Sequence, residues 1–168
     1  MNSDFDELMM RQALDEARIA ESRGEIPVGA VVTFGERIIA RAHNLRETLH
    51  DPTAHAERLA ITQAGEVLQS WRLGGCALYV TLEPCAMCAG SIVLARLDRV
   101  VYGAEDPKAG ACRSLFRLAD DTRLNHRASI TPGVLAAECG QILQDFFARK
   151  RRISVRKNDS PLEGCLSG

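Results

Sequence analysis

Long apolar runs are absent from this sequence, and their absence sets the first limits on the kind of protein it is. No stretch approaches the roughly 18 uninterrupted apolar residues that a membrane-spanning helix needs. The first twenty residues carry five acidic side chains and no apolar segment, so we expect no secretory signal. Both absences favour a cytoplasmic protein without a membrane anchor.

Paired cysteines are scarce as well. The chain has six cysteines, and a cytoplasmic protein keeps them as thiols rather than as a disulfide framework. Only two of them are spaced as a pair, and four are isolated in the sequence: Cys76, Cys112, Cys139 and Cys165. A structural zinc site built from two cysteine pairs is therefore not predicted.

The length and composition are those of one folded domain. The chain has 168 residues, of which 46% are apolar and 26% are charged, enough to bury a core and too few for two ordinary domains. We predict a single domain over residues 1–155. Residues 156–168, which include Ser, Pro and Gly, are predicted to form a flexible C-terminal tail.

Charge is distributed unevenly, although the net charge is only −1. Residues 145–168 carry six basic and three acidic side chains, a net charge of +3, so residues 1–144 carry −4. A basic end on an acidic body is suited to a polyanion such as nucleic acid. The same run is typical of a solvated helix end, where cations interact favourably with the helix dipole. Taken alone, the charge pattern favours the second interpretation.

Hydrophobic periodicity predicts helices and strands that alternate along the chain. A helix to about residue 24 is followed by a β-hairpin with its turn at Gly35-Glu36. The remaining predicted elements are a helix after Asp51-Pro52, a strand at 77–82, a helix at 84–97, a strand at 99–102, a loop at 103–113, a short strand near 128–130 and a closing helix at 134–152. This order predicts an α/β fold in which helices cover both faces of a sheet.

Cys85 and Cys88 are three residues apart, a spacing that places both sulfur atoms on one face of a helix. Pro84 suits the first position of that helix, and a helix start stabilises the thiolates that metals bind. A single C-x-x-C pair is a weak signal, because redox sites and structural zinc sites use it too. A redox pair, however, would leave His55 and Glu57 unexplained.

His55 and Glu57 belong to the segment D-P-T-A-H-A-E, at the predicted start of another helix. Residues two apart on a regular helix do not share a face, so both can approach one metal only if His55 lies in a first turn that is incompletely helical. Asp51-Pro52-Thr53 favours such a start. An isolated histidine is more often a structural residue than a ligand, but the downstream cysteine pair reverses these odds.

Together these residues resemble the signature of the zinc-dependent cytidine-deaminase-like superfamily, H-x-E followed by P-C-x-x-C. Other segments are similar to the bacterial tRNA-specific adenosine deaminases: I-P-V-G-A-V-V at 26–32, H-N at 43–44, T-L-E-P-C-A-M-C-A-G-S-I at 81–92, G-A-E-D-P-K-A-G-A at 103–111 and N-H-R at 125–127. The similarity reaches into the closing helix and covers roughly residues 4–152. The D-P-K-A-G loop and the basic double-Phe helix are what indicate the tRNA branch.

The resemblance implies a three-layer α/β/α cytidine-deaminase-like fold with a central mixed sheet of about five strands. It implies that His55, Cys85 and Cys88 bind one Zn²⁺ per subunit and leave the fourth position to water, whose pKa zinc can lower from about 15.7 to about 7. Glu57, which is not a ligand, would take the water proton, pass it to a ring nitrogen and protonate the leaving amine. The alternative for Glu57 is an ordinary solvated helix residue.

For the substrate, the resemblance implies that Asn44 hydrogen-bonds the flipped base and that Pro27 and Val28 help line its pocket. Asp106 and Lys108 would contact nucleotides that flank the target. Without the resemblance, Asn44 would be a turn residue, Val28 a core residue and the loop segment an ordinary turn.

The closing helix carries the other implied contacts. One ring of Phe146-Phe147 must face outward, and an exposed Phe147 beside Arg149 and Arg151 could stack on a loop nucleotide. A phenylalanine at helical spacing is, however, more often part of the core. Aromatic residues make up only 5% of the chain, so phosphate contacts and loop shape should carry much of the affinity.

The implied reaction is hydrolytic deamination of adenosine to inosine at the wobble position of a tRNA anticodon loop, where an unpaired base costs little to extrude. The resemblance also implies a homodimer. Two other interpretations stay open. One is a deaminase of free guanine or cytosine with the same zinc site, and the other is a zinc-stabilised nucleic-acid-binding domain with a vestigial site.

Overall fold

A mixed sheet organises the fold. The computed structural model of the protein describes residues 3–158 and the side chains of residues 4–153. Its strands are β1 (Gly29–Phe34), β2 (Arg37–His43), β3 (Cys76–Leu82), β4 (Arg99–Ala104) and β5 (Ser129–Thr131), in the order β2-β1-β3-β4-β5. β1 is antiparallel to both β2 and β3, whereas β3, β4 and β5 are parallel. The predicted mixed sheet of about five strands is confirmed.

Helices connect and cover these strands. They are α1 (Ser3–Ser22), α2 (Arg46–Leu49), α3 (Ala56–Leu68), α4 (Ala86–Ala95) and α5 (Ala136–Asn158). Within residues 3–158, none of the helices has the length and apolar character required to cross a membrane.

Side chains alternate along the strands, so both faces of the sheet are buried. Val31, Tyr79 and Val101 pack on one face against α1 and α5. Val32 and Val80 pack on the opposite face, together with the buried side chains of α3 and α4. One pair of helices therefore covers each face, and the predicted three-layer α/β/α arrangement is confirmed.

Small residues allow the helices to lie close to the sheet. α3 buries Ala56, Ala60 and Ala64, which are spaced by one helical turn. On the other face, α1 lies so near β1 that a Cβ atom on Gly29 would overlap the backbone of Ala13. Such close packing holds these two helices in defined positions on the sheet.

A buried ion pair joins α1 to the amino end of β4. The Arg99 guanidinium donates to both carboxylate oxygens of Asp6 at 2.7 Å, and the Tyr79 hydroxyl donates to Asp6 at 3.0 Å. The hydrogen bonds from Arg99 lower the pKa of Asp6, although burial opposes this shift. The pair therefore stabilises the scaffold in its charged form.

Several element boundaries differ from the predicted ones. α4 begins at Ala86 because Cys85 has an extended backbone (φ −72°, ψ 174°) and is the N-cap, so Pro84 precedes the cap and is not the first helical residue. The four residues of α2 are too few to show a periodicity and were not predicted. α5 continues beyond residue 152, so it includes residues 156–158 of the predicted tail. Residues 159–168 lie outside the described part of the chain.

Candidate active site

Two helix starts meet at the carboxyl end of β3. His55 is the N-cap of α3 and Cys85 is the N-cap of α4, and both have an extended backbone. The incompletely helical start predicted at His55 is confirmed, with φ −79° and ψ 149°. Neither side chain makes an N-capping hydrogen bond, and both turn toward each other and toward Cys88 in the first turn of α4.

The three side chains form a compact ligand group. Nδ1 of His55 lies 3.7 Å from Sγ of Cys85 and 3.6 Å from Sγ of Cys88. Tetrahedral zinc, with bonds of about 2.3 Å to sulfur and about 2.0 Å to nitrogen, separates these atoms by about 3.5 Å. Among the described side chains, no fourth His, Cys, Asp or Glu joins the group. The donor set fits a divalent metal with three protein ligands, the number typical of catalytic zinc.

The pKa values of the two cysteines are shifted in opposite directions. The pKa of Cys85 is lowered to about 3, chiefly because Cys88 donates a hydrogen bond to its thiolate and also because of a hydrogen bond with His55. The pKa of Cys88 is raised, because its thiol is held by that hydrogen bond and is buried. A divalent cation between the sulfurs would remove the repulsion between two thiolates, and the thiolate is the form that binds metal.

Glu57 lies beside this group in the first turn of α3. Its side chain is buried, with only 4% of the residue exposed. Burial raises the pKa of the carboxyl group, and the charge on Cys85 acts in the same direction. A carboxyl group with a raised pKa is suited to exchange protons near neutral pH.

A cleft of about 600 Å³ opens above these residues. We call His55, Glu57, Cys85 and Cys88 the floor of the site. Several exposed residues line the cleft, among them the acidic Glu105, and we call three of them, Arg46, Lys108 and Phe147, the rim. Neither Arg46 nor Lys108 has an ion-pair partner among the described residues, so both positive charges are available to a bound anion.

Asn44 and Val28 form one wall of the cleft. Asn44 follows the last residue of β2 and is 4% exposed. Its Nδ2 donates to the buried carboxylate of Glu25 at 3.1 Å, and the same carboxylate accepts the N–H groups of Glu47 and Thr48 in α2. Burial alone would raise the pKa of Glu25, but the hydrogen bonds led by those of Thr48 lower it. Glu25 thus fixes both the Asn44 amide and the helix that carries Arg46.

The opposite wall is the segment 105–109, which follows β4. Asp106 Oδ1 accepts the N–H groups of Lys108 at 3.0 Å and Ala109 at 3.1 Å, so its side chain shapes the turn. Below the turn lies Glu83, which is 2% exposed. Burial raises its pKa, but the hydrogen bonds from Ser114, Asp106 and Arg113 outweigh burial and lower it.

α5 presents one face to the cleft. Gly140, Leu143, Gln144 and Phe147 line the cleft at helical spacing. Phe147 is 42% exposed while Phe146 is 5% exposed, so one ring of the pair faces outward as predicted. Arg151 is exposed and lies one turn beyond Phe147 on the same face.

Known proteins resemble this chain over most of its length. A profile of the MafB19-like deaminase family matches residues 4–151. Over 155 residues the chain is 52% identical to the tRNA-specific adenosine deaminase of Bacillus subtilis (strain 168), covering 91% of this chain and 96% of that protein. This chain belongs to the tRNA-specific adenosine deaminase family.

The deaminase also resembles solved structures. One comes from biochemical and structural studies of A-to-I editing by tRNA deaminases at the wobble position of transfer RNA. It is 46% identical, with a TM-score of 0.77, and the match covers 80% of this chain and 98% of that one. The guanine deaminase of Bacillus subtilis is 32% identical, with a TM-score of 0.58, and covers 90% of this chain and 95% of that one. Both measures are higher for the tRNA deaminase structure.

Two of the predicted substrate residues of this deaminase lie away from the cleft surface. Pro27 is buried and does not line the cleft, whereas its neighbour Ile26 does. Arg149 forms an ion pair with Glu21 of α1 and is two residues from Phe147, on a different face of α5. Its charge is therefore partly neutralised within the protein.

Sequence reasoning missed three residues of the deaminase site: Glu25, Arg46 and Glu83. Arg46 is two residues after Asn44, and this proximity was the only available signal. The two glutamates accept hydrogen bonds from residues 19 to 31 positions away, so no local pattern marks them.

Proposed function

We propose that this protein hydrolytically deaminates adenosine to inosine at the wobble position of a tRNA anticodon loop. The observation that carries the proposal is the buried Glu57 beside the His55–Cys85–Cys88 group, at the floor of a cleft with a cationic rim. The relatives named for this reaction share about half of the sequence, which supports the same substrate class.

The donor set supports Zn²⁺ as the cofactor, one ion per chain, held by His55, Cys85 and Cys88. Bound zinc supplies hydroxide at neutral pH by lowering the pKa of water to about 7. Glu57 takes the proton of the attacking water and delivers it to the ring nitrogen of adenine. Glu57 then takes the proton of the hydroxyl group that has been added to carbon 6 and delivers it to the amine on the same carbon. Ammonia leaves, and the oxygen atom stays on carbon 6 as the carbonyl of inosine.

The walls and the rim support a polynucleotide substrate. Asn44 offers a polar group to the base, and Val28 offers an apolar surface beside it. Arg46 and Lys108 stand on opposite sides of the entrance, where they can bind phosphates on both sides of an extruded nucleotide. The exposed ring of Phe147 can stack on a neighbouring base, and Arg151 extends the positive surface. Asp106 contributes mainly by shaping the turn that carries Lys108.

Deamination of a free base is the second candidate, because guanine deaminase shares the fold. A free base carries no phosphate, so it would not use the cations of the rim. The identity to guanine deaminase, 32%, is also well below the 52% found for the tRNA-specific enzyme.

The assembly and location are part of the proposal. Leu94, Leu115 and Phe116 are large apolar residues that are 75%, 52% and 56% exposed, and a homodimer would bury such surface. We place the enzyme in the cytoplasm, where its substrate and the reduced state of its cysteines are both expected. We also propose that residues 1–155 form a single deaminase domain.

The experiment uses purified protein and an anticodon stem-loop with adenosine at the wobble position. Free adenosine, guanine and cytosine are incubated in parallel, and inosine and ammonia are measured. We expect inosine at the wobble position only, and a loss of activity in Glu57→Ala but not in Glu66→Ala, an exposed glutamate on the same helix. Ammonia from a free base without inosine in the RNA would support the second candidate. If Glu57→Ala leaves both the zinc content and the function of the protein unchanged, the result would support the interpretation as a zinc-stabilised nucleic-acid-binding domain.

A further inference from the structure

Glu83 is a buried carboxylate between the last residue of β3 and the Pro84-Cys85 turn that carries a floor residue. In the chain, Glu83 connects strand β3 with helix α4. On its amino side is the central strand of the sheet, and on its carboxyl side is the start of α4. The chemistry proposed above assigns it no role.

Five hydrogen bonds converge on this carboxylate, all from residues 106–114. Oε1 accepts the N–H groups of Cys112 at 3.1 Å, Arg113 at 2.7 Å and Ser114 at 2.9 Å. Oε2 accepts the N–H group of Asp106 at 3.1 Å and the hydroxyl of Ser114. Both ends of the segment that carries Lys108 are therefore fixed to one side chain.

The segment also lies directly against the turn at the start of α4. The Ala111 N–H donates to the Pro84 carbonyl at 2.8 Å, and Gly110 forms an isolated β-bridge with Cys85. A Cβ atom on Gly110 would overlap the Glu83 carboxylate, so the approach needs glycine at this position. Although Glu83 contributes to the lining of the cleft, only 2% of the residue is exposed, and both carboxylate oxygens already accept hydrogen bonds from the segment.

We infer that Glu83 is a positioning residue for RNA binding, which holds the 106–114 segment in the conformation that places Lys108 at the rim. This inference rests on the proposed function for its substrate. Without the carboxylate, buried N–H groups of the segment would lack acceptors, and the segment would move to hydrate them. The floor residues make no hydrogen bond to Glu83, so the proton transfers at Glu57 would continue once RNA is bound.

The variant that tests this inference is Glu83→Gln. Glutamine keeps the volume but replaces one oxygen with a donor, so either the Asp106 N–H or the three N–H groups at 112–114 lose their acceptor. We expect KM for the stem-loop to rise about tenfold or more, kcat to change less than about threefold, and one zinc per chain to be retained. Amide hydrogen exchange at residues 106 and 112–114 should accelerate.

Asp6→Asn is the matched control, because Asp6 is also a buried carboxylate but pairs with Arg99 at the opposite end of β4. It should lower the melting temperature without changing KM or exchange in the 106–114 segment. Ser114→Ala removes one of the five hydrogen bonds and should give a smaller change in the same direction, which tests the inference even if Glu83→Gln folds poorly.

Two results would overturn the inference. One is an unchanged KM with slow exchange in Glu83→Gln. The other is a loss of zinc or of kcat without a rise in KM, which would make Glu83 a support for the metal ligands. If the unmodified protein fails to deaminate the stem-loop, the proposed function is wrong, while the exchange measurement still reports on the Glu83 contacts.

Discussion

The floor and the rim of the cleft are built in different ways. His55, Cys85 and Cys88 take their positions from the starts of two helices packed on one face of the sheet, and none of them is exposed. Lys108 and Phe147 are exposed, and they reach the same cleft from a loop and from a helix on the other face. The groups that we propose to react are thus positioned by local structure at two helix starts, and the groups that we propose to select the substrate are positioned by distant segments.

This difference predicts separate kinetic effects. A change in the floor should lower kcat, because it removes interactions made in the transition state. A change at the rim should raise KM, because it removes contacts made equally by bound substrate and transition state. The following variants test this separation, from the largest expected effect to the smallest.

Cys88→Ala should have the largest effect. Removing one of three ligands should reduce zinc content from one per chain to nearly none and lower kcat by about 10³-fold or more. Metal analysis and inosine formation measure the two changes. Cys76→Ala also removes a buried thiol, but at the far end of β3, and it should retain one zinc per chain and an unchanged kcat. Retained zinc in Cys88→Ala would contradict the ligand assignment.

Removing both cations of the rim should have the next largest effect. In the double variant Arg46→Ala, Lys108→Ala, we expect KM for the stem-loop to rise about 10- to 100-fold with little change in kcat, because two phosphate contacts are lost. Steady-state kinetics at fixed salt measures both constants. Arg37→Ala with Arg72→Ala removes two exposed cations elsewhere and serves as the control. A fall in kcat alone would break the separation between floor and rim.

Arg151→Glu should have a smaller effect, visible mainly in the salt dependence. If Arg151 binds a phosphate, the slope of log Kd against log salt concentration should decrease by about 1. Binding of the stem-loop at several salt concentrations gives the slope. The same substitution at Arg37, the first residue of β2 beside the hairpin turn, should leave it unchanged. Equal slopes for both variants would exclude Arg151 from the RNA surface.

The smallest effect concerns the scaffold beneath both regions. Because Arg99 lowers the pKa of Asp6 in the folded state, the pair contributes stability above the unfolded pKa of about 4 and loses it as the pH falls through the lowered value. The melting temperature should therefore drop below about pH 4. Asp6→Asn should be less stable at pH 7 and lose less between pH 5 and pH 3. If the melting temperatures of the unmodified protein and of Asp6→Asn depend on pH in the same way, Asp6 makes no such contribution.

The sequence predicts most of the residues that line the floor and the walls, but not the buried residues that hold the walls in place, for a physical reason. His55 with Glu57, and Cys85 with Cys88, lie two or three residues apart, so helix geometry constrains them before any tertiary structure is known. The mixed sheet of about five strands and the three layers also agree with the prediction. The order of elements indicates helices on both faces of a sheet, and the resemblance to the deaminases implies the number of strands. Glu25 and Glu83 act only through contacts between distant segments, and the neutralisation of Arg149 by Glu21 depends on how α5 packs on α1.

The hydrogen bonds at Glu83 have a consequence for how the enzyme can change during evolution. Four of the five donors are main-chain N–H groups, which every residue except proline possesses. Mutations at the exposed positions of the 105–113 loop can therefore alter its side chains while its path stays the same, but Gly110, Asp106 and the buried Ala111 and Cys112 are constrained. New substrate preferences could arise on this loop by single substitutions, without passing through an inactive enzyme.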